Sequence, residues 1–141
     1  MPYIAAAARR EQIYALTELG RHTEAEALAR YALTSYREPD PLRLSLRLGL
    51  AHSLSSQGRH AEALAEVERA AVLRRNLARE HHHVTIGGVE LAAATALLGL
   101  GRGTEARPRV AAAYDACLSA FGPGHYRTRK ARALLDRING A

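Results

Sequence analysis

The chain has 141 residues, 48% of them hydrophobic, and a formal net charge of +6 at pH 7. That length fits one domain with a continuous core, spanning 1–141. Cys117 is the single cysteine, which excludes an intramolecular disulfide. No run of about 20 apolar residues is present to cross a membrane. The opening Met1-Pro2-Tyr3-Ile4 lacks the basic and long apolar regions of a secretory signal, so a cytoplasmic location is expected.

The kind of apolar residue is informative. Ala and Leu dominate, Trp is absent and Phe121 is the only Phe. Ala and Leu are the best helix formers, and Ala methyls let helix axes approach closely. Strand-favouring β-branched residues are few. An all-α fold is predicted. Nearly all the positive charge is Arg, with Lys130 the only Lys. The arginines are scattered among glutamates along the chain, as on solvated helix faces. A compact basic patch for nucleic acid is not the favoured reading.

In chain order, the first helix is predicted over 4–19 and the second carries Ala25, Leu28, Ala29, Ala32, Leu33 and Tyr36 at helical spacing. Glu38-Pro39-Asp40-Pro41 breaks the pattern, with Asp40 an expected N-cap and Pro41 at the first helical position. A third helix over 42–57 follows. The fourth carries Ala63, Val67, Ala70, Leu73 and Leu77. After His81-His82-His83 a fifth helix is predicted over 85–100. The sixth carries Ala106, Val110, Ala113, Cys117 and Phe121, and Gly122-Pro123-Gly124 ends it. The segment 125–138 reads as one more helix.

Three strings punctuate this series: Gly20-Arg21-His22-Thr23-Glu24-Ala25, Gly58-Arg59-His60-Ala61-Glu62-Ala63 and Gly101-Arg102-Gly103-Thr104-Glu105-Ala106. The shared pattern Gly-Arg-x-x-Glu-Ala recurs at spacings of 38 and 43 residues. Gly ends a helix in the left-handed conformation. Glu in the first turn of the next helix meets the positive end of its macrodipole. Ala is then the first core contact. Each string is therefore the turn of a helical hairpin, giving hairpins over about 4–37, 41–79 and 84–120. The helix at 125–138 looks like the first half of an unfinished fourth repeat. There it caps the core, with its charges facing solvent.

These turns resemble tetratricopeptide repeats (TPRs). The period and the joints resemble the longer variant found in kinesin light chain and many bacterial regulators. Its Gly-Pro-Asp-His-Pro-x-Thr joint is matched by Gly122-Pro123-Gly124-His125-Tyr126-Arg127-Thr128 except at the Asp and the second Pro. His82-His83-Val84-Thr85 matches the His and Thr only. Pro108, shortly after Glu105-Ala106, is a further shared feature, and a proline near a helix start costs little. The joint at Pro39-Asp40-Pro41-Leu42 departs from the pattern. The resemblance implies an α-solenoid of three hairpins plus a C-terminal capping helix, serving as a binding scaffold.

No catalytic motif emerges. Three adjacent histidines, His81-His82-His83, point in different directions on any regular element, so they read as a joint and not as a metal site. A nucleophile built from Cys117 with His22, His52 or His60 has nothing to bring it together. No phosphate loop or dinucleotide fingerprint is present, and no cofactor is implied. Gly87-Gly88, placed inside the fifth helix, weakens it by about 2 kcal/mol relative to Ala. They serve close packing, a kink or room for a ligand.

Stacked hairpins curve so that the first helix of each lines a concave side. Counting back from the turn glycines gives Arg10, Tyr14, Thr17 and Glu18 in the first repeat. The second gives Ser45, Leu48, His52, Ser55 and Ser56, and the third Gly88, Leu91, Thr95 and Leu98. Tyr14, His52 and Thr95 occupy one place in successive repeats. Of these, Arg10, Tyr14, Glu18, Ser45, His52, Ser55 and Thr95 are the candidate partner-binding residues. The expected function is a protein- or peptide-binding scaffold in a bacterial regulatory system. The alternatives are a homo-oligomeric piece of a larger regulator, or a small-ligand site or enzyme using the groove.

Overall fold

The computed structural model describes residues 2–35, 40–77 and 86–140, without the side chains of residues 2–7, 10, 35 and 40. Among the described residues there are seven helices. They are α1 (Pro2–Glu18), α2 (His22–Ser35), α3 (Asp40–Ser56), α4 (His60–Asn76), α5 (Gly88–Gly99), α6 (Gly103–Phe121) and α7 (Tyr126–Gly140). α1 packs on α2, α3 on α4 and α5 on α6, so each turn string closes a hairpin. The first helices also meet one another, α1 against α3 and α3 against α5, while α7 packs on α6. Among the described residues no helix is long and apolar enough to cross a membrane.

The turn strings fold identically. Gly20, Gly58 and Gly101 have φ of 78°, 78° and 75°. In each, the Gly amide donates to the carbonyl three residues back, and the following Arg amide donates five residues back. The second set of bonds is Arg21 to Leu16 (2.8 Å), Arg59 to Leu54 (2.9 Å) and Arg102 to Leu97 (2.8 Å). This paired arrangement satisfies carbonyls that the helix end leaves orphaned. The Arg of the string then grips the Glu three residues on with two bonds, as Arg21 does to Glu24 at 2.9 and 2.6 Å. Arg59 with Glu62 and Arg102 with Glu105 do the same. Ala25, Ala63 and Ala106, which end the strings, are fully buried.

The predicted apolar stripes form the core. Ala25, Ala29, Ala32, Ala63, Val67 and Ala70 join α1, α3 and α5 residues in one cluster. Val110 and Ala113 join Leu91, Ala131, Leu134 and Ile138 in a second that ties α7 to α5 and α6. Tyr36 and the histidines at 81–83 lie outside the described residues, as does the Asp40 side chain, although α3 does begin there.

Two local expectations change. α5 starts at Gly88, with Gly87 as its N-cap at φ 77°. The two glycines are therefore at a helix start and carry no interior penalty. A Cβ on Gly87 would collide with Cys117 Sγ, so close packing accounts for this glycine. Pro108 falls inside α6, beyond its first turn, because α6 already begins at Gly103. It therefore forgoes a main-chain bond.

Not all the arginines are mere solvated surface. Glu66, only 5% exposed, accepts from Arg47 of α3 at 2.8 Å and from Arg69 at 2.7 Å. Glu26 of α2 accepts from Arg59 at 2.6 Å. Arg74 of α4 pairs with Glu90 of α5 at 2.5 Å. These charged pairs join neighbouring hairpins and the two halves of the second one.

Candidate binding groove

The first helices of the repeats present one side to a common groove of about 420 Å³. Because helix neighbours recur at three and four residues, each helix contributes a short row. α1 gives Glu11 and Tyr14, and α3 gives Ser45, Leu48, Ala51, His52 and Ser55. α5 gives Gly88, Leu91, Ala92 and Thr95, and α7 adds Tyr126, Arg127 and Lys130. The floor is apolar at Leu48, Ala51, Leu91 and Ala92. The polar groups sit around it.

Tyr14 and His52 face each other with ring centroids 6.2 Å apart. His52 Nε2 lies 3.9 Å from the Glu18 carboxylate, whose side chain is 78% exposed at the rim. Burial lowers the His52 pKa below its usual 6.5; Lys130 and His22 push the same way and Glu18 opposes them. His52 is therefore held toward the neutral form, able to donate one hydrogen bond and accept another. The Thr95 hydroxyl donates to the Leu91 carbonyl at 2.8 Å and the Ser45 hydroxyl to that of Pro41 at 3.3 Å. Both still offer lone pairs to the groove.

α7 closes one side. His125 caps it, its Nδ1 accepting from the Arg127 amide at 3.2 Å, and its ring stacks between Phe121 and Tyr126. The Arg127 guanidinium donates to the Ile86 carbonyl at 3.2 Å and to the Tyr126 hydroxyl at 3.1 Å. Lys130 has an exposed side chain, yet the groove walls around it displace part of its hydration. This partial desolvation lowers its pKa; Glu18 opposes and Arg127 reinforces the shift.

A scan against family models matched nothing, and a search of curated proteins also found no match. Among solved structures, the chain is similar to the crystal structure of a TPR-like protein from Chlorobium tepidum, determined at 2.54 Å resolution. The TM-score is 0.75 at 23% sequence identity, over 98% of this chain and 96% of that one. The fold is TPR-like.

In this TPR-like frame the sequence-derived groove positions separate. Tyr14, Ser45, Leu48, His52, Ser55, Gly88, Leu91 and Thr95 all line the groove, and Glu18 stands at its rim. The Arg10 side chain lies outside the described residues. Thr17 does not face the groove: it is 4% exposed and its hydroxyl donates to the Ile13 carbonyl at 2.8 Å. Leu98 packs on the second core cluster. Ser56 is exposed and donates to the His52 carbonyl at 3.0 Å.

Counting back from the turns does not reach Glu11, Ala51 and Ala92, nor Tyr126, Arg127 and Lys130 of α7. For the last three the signal was available, because α7 is the first helix of a fourth repeat and first helices line the concave side. Of the α7 charges expected to face solvent, Arg129, Lys130, Arg132, Asp136 and Arg137 are exposed, while Arg127 and Lys130 also line the groove. The remaining chemistry is dispersed. Cys117 is fully buried, its thiol directed at the Ile86 carbonyl and its pKa raised by burial. His22 and His60 begin α2 and α4, and neither lines the groove. Among the described residues no three His, Cys, Asp or Glu side chains gather as a metal site.

Proposed function

We propose that the chain is a binding scaffold whose concave groove takes a peptide segment of a protein partner. The observation that carries this is the ladder Tyr14, His52 and Thr95, one residue from each repeat, lining a single groove. A platform of that kind offers an aromatic face, an imidazole and hydroxyl acceptors along one line. Such a row suits an extended chain with its own alternating polar groups. A place in a bacterial regulatory system is part of this proposal; the arginines, dispersed and largely paired with glutamates, do not form the compact basic face that nucleic-acid binding uses. The test is a pull-down to obtain a partner, followed by calorimetry. Tyr14→Ala and His52→Ala are each expected to weaken binding at least about tenfold, as for central anchors. Unchanged affinity in both variants overturns the groove assignment.

A second reading, self-association, is favoured by the outer face of α1. Ala8, Gln12 and Ala15 are exposed. Their counterparts 38 residues on, Leu46, Leu50 and Ser53, are buried at 1%, 1% and 0% exposure. A second copy covering the α1 face would bury it likewise. Sedimentation at high concentration tests this. A monomer throughout rejects it, and Ala15→Glu is expected to split any dimer found.

A further inference from the structure

We propose that the groove is also a binding site for a small amphipathic organic anion, its apolar body on Leu48 and Leu91 and its negative charge against Lys130. Three observations lead there. First, a volume of about 420 Å³ lies in the range of small-molecule sites, which are mostly apolar with a few placed polar groups. A peptide would fit only a few residues into it. Second, the floor is kept open: a Cβ on Gly88 would come within 3.3 Å of Leu48, so this glycine widens the apolar surface where α3 and α5 meet.

Third, the charges are divided by wall. Among the described side chains, the acids of the groove, Glu11 and the rim residue Glu18, belong to α1, and its Arg and Lys belong to α7. Arg127 is anchored to the Ile86 carbonyl and the Tyr126 hydroxyl. The Lys130 ammonium makes no hydrogen bond or ion pair among the described residues, although the Glu18 carboxylate at the rim favours its charged form. It is also the only lysine of the chain, a compact ammonium on a flexible stem that can follow a ligand's charge. In a partly dehydrated site an ammonium with no salt-bridge partner attracts an anion more strongly than one in bulk water. Such a ligand goes beyond the peptide reading, since a molecule filling the groove excludes a peptide from it and acts as a competitor.

The probe is 8-anilinonaphthalene-1-sulfonate, an aromatic body with one negative charge, titrated into the whole chain and followed by fluorescence and calorimetry. N-phenyl-1-naphthylamine, the same body without the sulfonate, is the uncharged control. Saturable binding with one site per chain is expected, tighter for the anion than for the control. Lys130→Gln is expected to weaken the anion about tenfold, the loss of one charge-assisted contact, and to leave the control unchanged. Lys130→Arg restores most of the affinity. Lys130 is exposed, so these variants keep the fold, which circular dichroism verifies. Non-saturable binding, or equal affinity of anion and control, overturns the proposal. So does an anion affinity that Lys130→Gln leaves unchanged. None of these results touches peptide capture, which the pull-down above tests separately.

Discussion

At the residue scale, His52 and Gly87 carry the sharpest consequences. The folded His52 pKa lies below its unfolded value of about 6.5, so the unfolded chain takes up its proton first as the pH falls. The sign follows from linkage. Stability is full above the unfolded value and is lost as the pH drops from there through the folded value. His52 is faced by Tyr14 and Glu18 of α1, His22 at the start of α2, and Lys130 with Arg127 on α7. Urea unfolding of the wild type at a series of pH values is expected to show this loss, and His52→Gln to flatten that part of the profile. Gly87 combines a φ of 77° with a Cβ site occupied by Cys117 Sγ. Gly87→Ala is therefore expected to destabilise by about 2 kcal/mol or more, from left-handed strain plus overpacking. Adding Cys117→Ala removes the collision, and a double-mutant cycle reads the coupling.

At the element scale, the turn string explains itself only partly from sequence. Gly as a left-handed helix end, Glu in a first turn and Ala as a first contact are all local rules, so they are legible in a string of letters. The Arg is not, because its role is a two-bond grip on Glu24, Glu62 or Glu105 that exists only once the turn has formed. The Ala stripes act between elements. Ala29, Ala32 and Ala70 are fully buried, which sets how closely the helices lie. Ala29→Leu, a good helix former in place of another, is expected to destabilise by about 1–3 kcal/mol through overpacking. Chemical denaturation measures it; a neutral outcome shows slack at that interface. α5 begins at Gly88, later than the periodicity predicts. Its start depends on Gly87 fitting against α6, which no helical periodicity encodes.

At the scale of the whole molecule, each hairpin touches its neighbours, and the core runs as two clusters along the stack. Stability in such an array is close to a sum of local and nearest-neighbour contributions. Leu50, 1% exposed at the centre, and Ile138, 8% exposed on the last helix, are therefore expected to behave differently. Leu50→Ala lowers stability by about 2–5 kcal/mol and reduces hydrogen-exchange protection across α1 to α5. Ile138→Ala loosens α7 first and leaves α1 to α4 protected. Uniform loss of protection from both variants shows a single cooperative unit instead. Loosening α7 also moves Tyr126, Arg127 and Lys130, so Ile138→Ala weakens any ligand held against that wall.

By itself, the sequence determined the helical class, the three hairpins, their turn glycines and most of the groove row from α1, α3 and α5. Those features depend on periodicity and on residues acting within a few positions of one another. Tertiary structure decided what periodicity cannot. It turned Thr17 inward onto the Ile13 carbonyl, packed Leu98 on the second core cluster and made interhelix pairs of Arg47–Glu66 and Arg74–Glu90. It also placed α7 so that Arg127 and Lys130 complete the groove. The curvature of a stack is the accumulated rotation of one hairpin on the next, and no single segment carries it. Which side of the last helix meets the first repeats is therefore a property of the assembled molecule.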